Sequence, residues 1–194
     1  DRVKGTVQVI ENASVDQVNA AGPVWSSVAD MSKWMRFMID SGRVNGKALL
    51  KPATWNELLT PGYALPNGFY PSAELTKPKF NTYALGWFQH DYVGRRLNYH
   101  TGSIDGMVAI IGIIPEERFG VYVLGNVAHV EVRHALLYKA IDTWLGTGTR
   151  DWSTDLRAIY ARMETDGANA QSRMEARRVK DTKPSLPLEQ YAGT

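Results

Sequence analysis

Apolar residues recur at helical spacing at Val28, Met31, Trp34, Met35, Met38 and Ile39, which predicts a helix from about Val28 to Ser41. Ser27-Val28-Ala29-Asp30 reads as its capping box, with a hydroxyl and a carboxylate placed for the free amides of the first turn, and Gly42 stands just past its end. The Met and Trp stripe is expected to pack into a core rather than face a cofactor. Pro52 opens a second, short helix that ends near Leu59, ahead of Pro61. From Gly62 to Asn81 the pattern lapses into an aperiodic stretch of Pro, Gly and aromatic residues, read as a long surface loop of the kind that forms a rim or lid.

Strand-like runs follow at Tyr83 to Asp91, Arg95 to His100, Met107 to Ile114 and Phe119 to Leu124. Their connections, Val93-Gly94 and Pro115-Glu116-Glu117-Arg118, are short enough to force antiparallel neighbours. Leu136, Leu137, Ala140, Ile141, Trp144 and Leu145 then mark a helix with one buried face, closed by Gly146. Before the first helix, Asp1 to Ala21 begins with Val3, Thr6, Val7, Val9 and Ile10 and reads as a short strand and a loop. The fold class is α+β: an antiparallel sheet with helices packed on it. Residues 1–147 form the globular part. Residues 148–194 form an amphipathic helix on Trp152, Leu156, Ile159, Tyr160 and Met163, a solvated stretch from Gly167 to Lys180, and an extended linker at Lys183 to Leu188. No closing element follows that linker, so further sequence beyond it is expected.

Composition narrows the function classes. The 194 residues are 44% hydrophobic, enough for one or two domains with a real core. Lys and Arg number 22 against 20 Asp and Glu and form no long run, which argues against a nucleic-acid partner. No stretch approaches the roughly 20 apolar residues of a transmembrane helix, and Asp1 to Gly5 is charged rather than leader-like. The absence of cysteine excludes disulfides, thiolate catalysis and Cys-based zinc sites.

His129 and His134 superficially suggest a zinc-peptidase helix, but that motif needs histidines at i and i+4, and these are at i and i+5. Neither a metal nor another cofactor is expected, and Gly102 and Gly106 lack the Lys-Ser or Lys-Thr of a phosphate loop. Asp30, Glu116 and Glu117 have simple roles in caps and turns, His90 is structural or at the surface, and Trp87 and Tyr99 belong to the core or a cleft wall. The segment from Tyr99 to Gly106, where one strand hands over to the next, is more informative. A Thr hydroxyl beside a basic side chain can bind a substrate carboxylate or pass a proton, while glycines let a backbone N–H approach the substrate. By chemistry alone, an active-site edge and an ordinary Gly-rich turn both fit.

Five stretches taken in order change that balance: Gly22 with Ser26-Ser27-Val28-Ala29-Asp30-Met31, Gly46-Lys47-Ala48-Leu49-Leu50, Tyr83-Ala84-Leu85-Gly86-Trp87, His100-Thr101-Gly102, and Gly120 to Asn126. This set resembles the serine β-lactamase and penicillin-binding-protein superfamily, most closely the class C-related branch of β-lactamases, D-aminopeptidases and esterases, over about Ala20 to Gly146. The resemblance implies the C-terminal portion of a β-lactamase/transpeptidase-like fold. It places His100 in the basic position of the third motif, Thr101 as the substrate-binding hydroxyl, Gly102 as the space for substrate backbone, and the Ser103 N–H in the oxyanion hole. Arg133 and His134, at the start of the last helix, are lesser candidates for a substrate carboxylate, with surface solvation as the plainer reading.

Two departures matter. Histidine replaces the usual lysine at position 100, which weakens carboxylate binding or makes it pH-dependent. No Ser is followed three residues later by Lys, and no Tyr or Ser two residues later by Asn, so the nucleophile and second motif of the family are absent from these 194 residues. The leading reading is therefore part of a serine acyl hydrolase that works through an acyl-enzyme on a small acyl or peptide substrate, inactive as this chain alone. The alternatives are a non-catalytic protein that binds peptides or a partner chain, and a structural domain with no ligand. Expected partners are an N-terminal segment of the same protein or a second copy, through an exposed strand edge and apolar surface. The resemblance also implies a periplasmic or secreted location.

Overall fold

The computed structural model describes residues 1–3, 6–11, 14–18, 20–22, 24–127 and 130–192. They fall into two compact units, 1–158 and 159–194.

The first unit opens on a two-stranded hairpin, β1 (Arg2–Val3) with β2 (Thr6–Val7), where the sequence suggested one strand. Helix α1 (Val28–Ile39) follows with the expected cap: the Asp30 N–H donates to Ser27 Oγ at 3.1 Å, and Ser27 Oγ donates back to the Asp30 carboxylate at 3.0 Å. It ends two residues earlier than expected, because the Gly42 N–H donates to the Phe37 carbonyl and turns the chain away. A small hairpin, β3 (Arg43–Val44) with β4 (Lys47–Ala48), leads to α2 (Pro52–Leu59), which matches its expected bounds.

The stretch expected to be loop carries β5 (Tyr63–Ala64) and the one-turn helix α3 (Ala73–Thr76). Backbone pairing of Leu65 with Asn81, and the Asn81 amide donating to the Pro66 carbonyl at 2.9 Å, supply an order that apolar periodicity does not encode. The run expected as one strand is two, β6 (Asn81–Tyr83) and β7 (Phe88–Tyr92). Gly86 turns the chain between them at φ +79°, a left-handed conformation that favours glycine. β8 (Arg95–Ile104), β9 (Met107–Ile114) and β10 (Phe119–Gly125) complete an antiparallel sheet in the order β10-β9-β8-β7-β6-β5.

Pleat alternation assigns the two faces. Tyr99 pairs with Gly112 and Thr101 with Ile110 on the face covered by α4 (Val132–Leu145). The approach is close: a Cβ at Gly112 would lie 2.5 Å from Leu137 Cδ1. Ile111 and Ile113 lie on the other face, in a core with Met38, Leu59, Ala84 and Trp87. The Trp55 indole N–H donates to the Met38 carbonyl at 3.0 Å and ties α2 to α1. The α1 stripe enters this core only through Met38 and the half-buried Met31, Met35 and Ile39; Val28 and Trp34 are exposed, contrary to expectation. Trp87 and Tyr99 are buried, as core residues.

Helix α5 (Trp152–Arg177) begins in the first unit, where Trp152 and Leu156 are buried, so the compact unit runs past residue 147. The second unit holds the rest of that helix, exposed from Ala161 onward, and a single 3-10 turn at Leu188–Gln190. There the Leu186 N–H donates to the Tyr191 hydroxyl at 3.0 Å. Among the described residues, no helix is long and apolar enough to cross a membrane.

Candidate active site

The site is set by unequal strand lengths. The β7–β8 ladder ends where Phe88 pairs with Tyr99, but β8 runs on to Ile104 alongside β9. His100-Thr101-Gly102-Ser103 therefore lies within a strand that has β9 on one side and no β7 register on the other. The turn expected in this segment is confined to Asp105-Gly106.

Each of the four residues is held differently. The His100 ring stacks on Phe88, with centroids 5.4 Å apart and planes at 28°. It is half-buried, and burial lowers its pKa below the ordinary imidazole value, so it is neutral at pH 7. Thr101 is buried and donates its hydroxyl proton to the Ala109 carbonyl at 2.7 Å. That bond ties β8 to β9. Gly102 is exposed, and a Cβ built on it would meet nothing within 4 Å. The Ser103 hydroxyl donates to the Met107 carbonyl at 3.1 Å.

A cleft of ≈ 750 Å³ opens at this end of the sheet. Gly102, Ser103 and Ile104 line it from β8, with Met107, Val108 and Ala109 from β9, Tyr122, Leu124, Gly125 and Asn126 around the end of β10, and Ala20, Ala21, Gly22, Val24, Trp25 and Ser26 from the segment before α1. His100 and Thr101 flank the cleft without lining it. Sequence reasoning missed Trp25, Leu124 and Asn126 as wall residues, although Leu124 and Asn126 belong to a stretch that carries the resemblance. Trp25 is 64% exposed, and its place between Gly22 and Ser26, both in a stretch that carries the resemblance, was the available signal.

Arg133 and His134 are elsewhere. Both are buried rather than solvated, and neither lines the cleft. His134 lies with its ring 5.4 Å from that of Tyr70, and neither ring nitrogen has a hydrogen-bond partner. Burial, then the charge of Arg133 and the proximity of His90, push its pKa down to about 3. Arg133 Nε and Nη1 are likewise unpartnered. His90 is structural: its Nδ1 lies 2.9 Å from the Asp91 carbonyl and must carry the proton, which leaves Nε2 to accept from the Tyr138 hydroxyl at 3.2 Å. His129 lies outside the described residues, and among those described no three His, Asp or Glu side chains converge to hold a metal ion.

The model of the beta-lactamase family matches residues 2–143, a span that contains the whole six-stranded sheet and the cleft. The chain belongs to the beta-lactamase family. Within and around that family, it is 28% identical over 193 residues to the unguisins hydrolase ungD of Aspergillus violaceofuscus (strain CBS 115571), covering 91% of this chain and 33% of that protein. Its fold matches the octameric penicillin-binding protein homologue from Pyrococcus abyssi with a TM-score of 0.53 at 22% identity, over 71% of this chain and 28% of that one. The beta-lactamase-like chain thus spans about a third of the length of the curated relative it matches. Its mixed helix and antiparallel-sheet architecture is that of the penicillin-binding-protein-like fold.

Proposed function

We propose that this chain forms the sheet wall of a serine acyl hydrolase of β-lactamase, D,D-peptidase or esterase type. The observation that carries the reading is the overhang of β8 beyond β7, which presents Gly102 and Ser103 to the cleft. A substrate acyl group lying along that strand meets backbone rather than side chain at Gly102, and Ser103 stands at the oxyanion position by the His-Thr-Gly pattern. His100, neutral and stacked on Phe88, is placed for proton transfer rather than as a fixed cation. Thr101 is a positioning residue that holds the strand.

The nucleophile and its base come from sequence outside these 194 residues, a reading supported by the absence of Ser-x-x-Lys and by the 33% coverage of the relative. There the serine oxygen attacks the acyl carbon, the leaving group departs with a proton, and water then hydrolyses the ester intermediate. Arg133 and His134 lie outside the cleft lining and take no part in binding a substrate carboxylate in this reading. The β10 edge of the sheet is the place for pairing with that additional segment or with a second copy. Family membership favours an exported, periplasmic or secreted, setting.

A Gly102→Val variant tests this. A side chain there enters open space, so unfolding stability is expected to change by no more than about 0.5 kcal/mol. Covalent labelling by an acylating probe, in the presence of the segment that bears Ser-x-x-Lys, is expected to be lost. Labelling at the parental rate would remove β8 from the site. A second reading, a non-catalytic protein that binds peptides, is favoured by the missing nucleophile; it predicts that no serine is labelled with or without that segment.

A further inference from the structure

We infer that the exposed part of α5 is a self-association surface, along which two copies of this chain pair antiparallel through Met163, Gly167, Ala170 and Met174 in one fixed register. The pairing is independent of the acyl-hydrolase reading, because its residues all lie in the second unit and none lines the cleft.

From Ala161 to Arg177 every residue of α5 is exposed, with Met163 at 47% and Met174 at 65%. A helix in water takes most of its stability from one packed face, and Gly167 is a poor helix former in the interior of this one. Local pairs such as Gln171 Nε2 donating to Glu175 at 3.0 Å, with Arg178 at 4.0 Å from the same carboxylate, add little to that. Met163, Gly167, Ala170 and Met174 follow the 4-3-4 spacing of a two-helix seam, and Asp166 and Arg173 stand seven residues apart on one flank of it. Turned antiparallel on itself, this seam is self-complementary. Gly167 faces Ala170 of the second copy, so the backbones approach closely, and Met163 faces Met174 in the layers on either side. In the same register Asp166 of each copy meets Arg173 of the other, which gives two ion pairs related by the two-fold axis, while Glu164 meets the Gln171 amide on the opposite flank. One layer outward, the Arg177 guanidinium meets the Tyr160 ring. A parallel pairing instead sets Arg173 against Arg178, a like-charge contact, so charge selects the antiparallel arrangement.

The chain has no cysteine, so engineered disulfides read the register directly. Met163→Cys and Met174→Cys variants of the full chain are oxidised separately and as a mixture, with far-UV circular dichroism as the check on folding. Both positions are exposed, so neither substitution reaches the core. The seam is short and the dimer is expected to be weak, so oxidation is run at high protein concentration. A disulfide between positions 163 and 174 is expected in the mixture; each variant alone holds its two thiols about 16 Å apart, at 1.5 Å per residue, too far to bond. Made in both partners, Asp166→Arg alone or Arg173→Asp alone is expected to slow that disulfide at least about tenfold, and the two together to restore it. Gly167→Leu favours the helix but forces the backbones apart, and is expected to slow it too. Disulfides that form as fast in either variant alone would show a parallel or random contact and overturn the inference. So would a rate indifferent to the charge reversals, or no disulfide in any preparation, whether the chain is then monomeric or associates through its β10 edge.

Discussion

Replacing Asp142 with alanine is expected to destabilise the first unit by about 2–5 kcal/mol, the scale for leaving two buried donors without an acceptor. Asp142 is 4% exposed and accepts two hydrogen bonds, from the Tyr92 hydroxyl at 2.6 Å and from the Trp152 indole N–H at 2.7 Å. Alanine leaves both donors buried and orphaned, and it is the unmet donor rather than the lost bond that dominates. The carboxylate holds the start of α5 against α4, where Trp152 stacks on Tyr138 with centroids 4.7 Å apart. Tyr92→Phe removes one donor together with its need for a partner and is expected to cost only about 1–2 kcal/mol. Gly148→Ala reaches the same network from outside, since a Cβ there would fall 2.2 Å from Asp142 Oδ2. Urea unfolding at pH 7 checks all three; a loss below about 1 kcal/mol for Asp142→Ala would contradict the network's role.

The second large effect is a loss of stability in acid that His134→Phe reduces. Unfolded, this imidazole titrates near 6.5; folded, burial and the neighbouring Arg133 and His90 hold it down to about 3. Between those two values the unfolded chain binds a proton that the folded chain refuses, so stability falls as pH drops through that window. At pH 5 the deficit is about 2 kcal/mol, from about 1.4 kcal/mol per pH unit. Phenylalanine keeps the ring against Tyr70 and removes two unpartnered nitrogens, so the variant is expected to gain stability over the parent as pH falls from 7 to 5. His90, also lowered by burial, contributes a loss of the same sign in both proteins, which makes the difference between them the readout. Parallel pH dependence in parent and variant would show that His134 is not the group responsible.

Much of this architecture is legible in the sequence because its elements announce themselves locally. The capping box at Ser27, Pro52 at the head of α2 and the turn at Pro115 to Arg118 all act within a few residues, and each falls where the pattern put it. What escaped depends on long-range partners. β5 is held by Asn81 and its strand neighbours, α3 follows Ser72, whose hydroxyl lies 3.4 Å from that of Tyr138, and Gly86 splits a run in which Tyr83, Trp87 and Phe88 favour strand. For the site, His100 to Ser103 could be picked out by type and order, and the strand they occupy is longer than the pattern suggested. That Thr101 spends its proton on Ala109, and that Arg133 and His134 lie outside the cleft lining, are consequences of pleat and packing that no single-chain motif encodes. The Trp25 wall is also tertiary: it is brought to β8 by the segment ahead of α1.

The measurement that bears most directly on the central claim is intact-mass analysis with a fluorescent penicillin and a short-chain activated ester. It is made on this chain alone and co-expressed with the segment that bears Ser-x-x-Lys. The account predicts a covalent adduct only when both are present, mapped to a serine of that segment and lost in Gly102→Val. An adduct on this chain alone, or none in either preparation, would contradict a shared serine hydrolase site walled by His100 to Ser103.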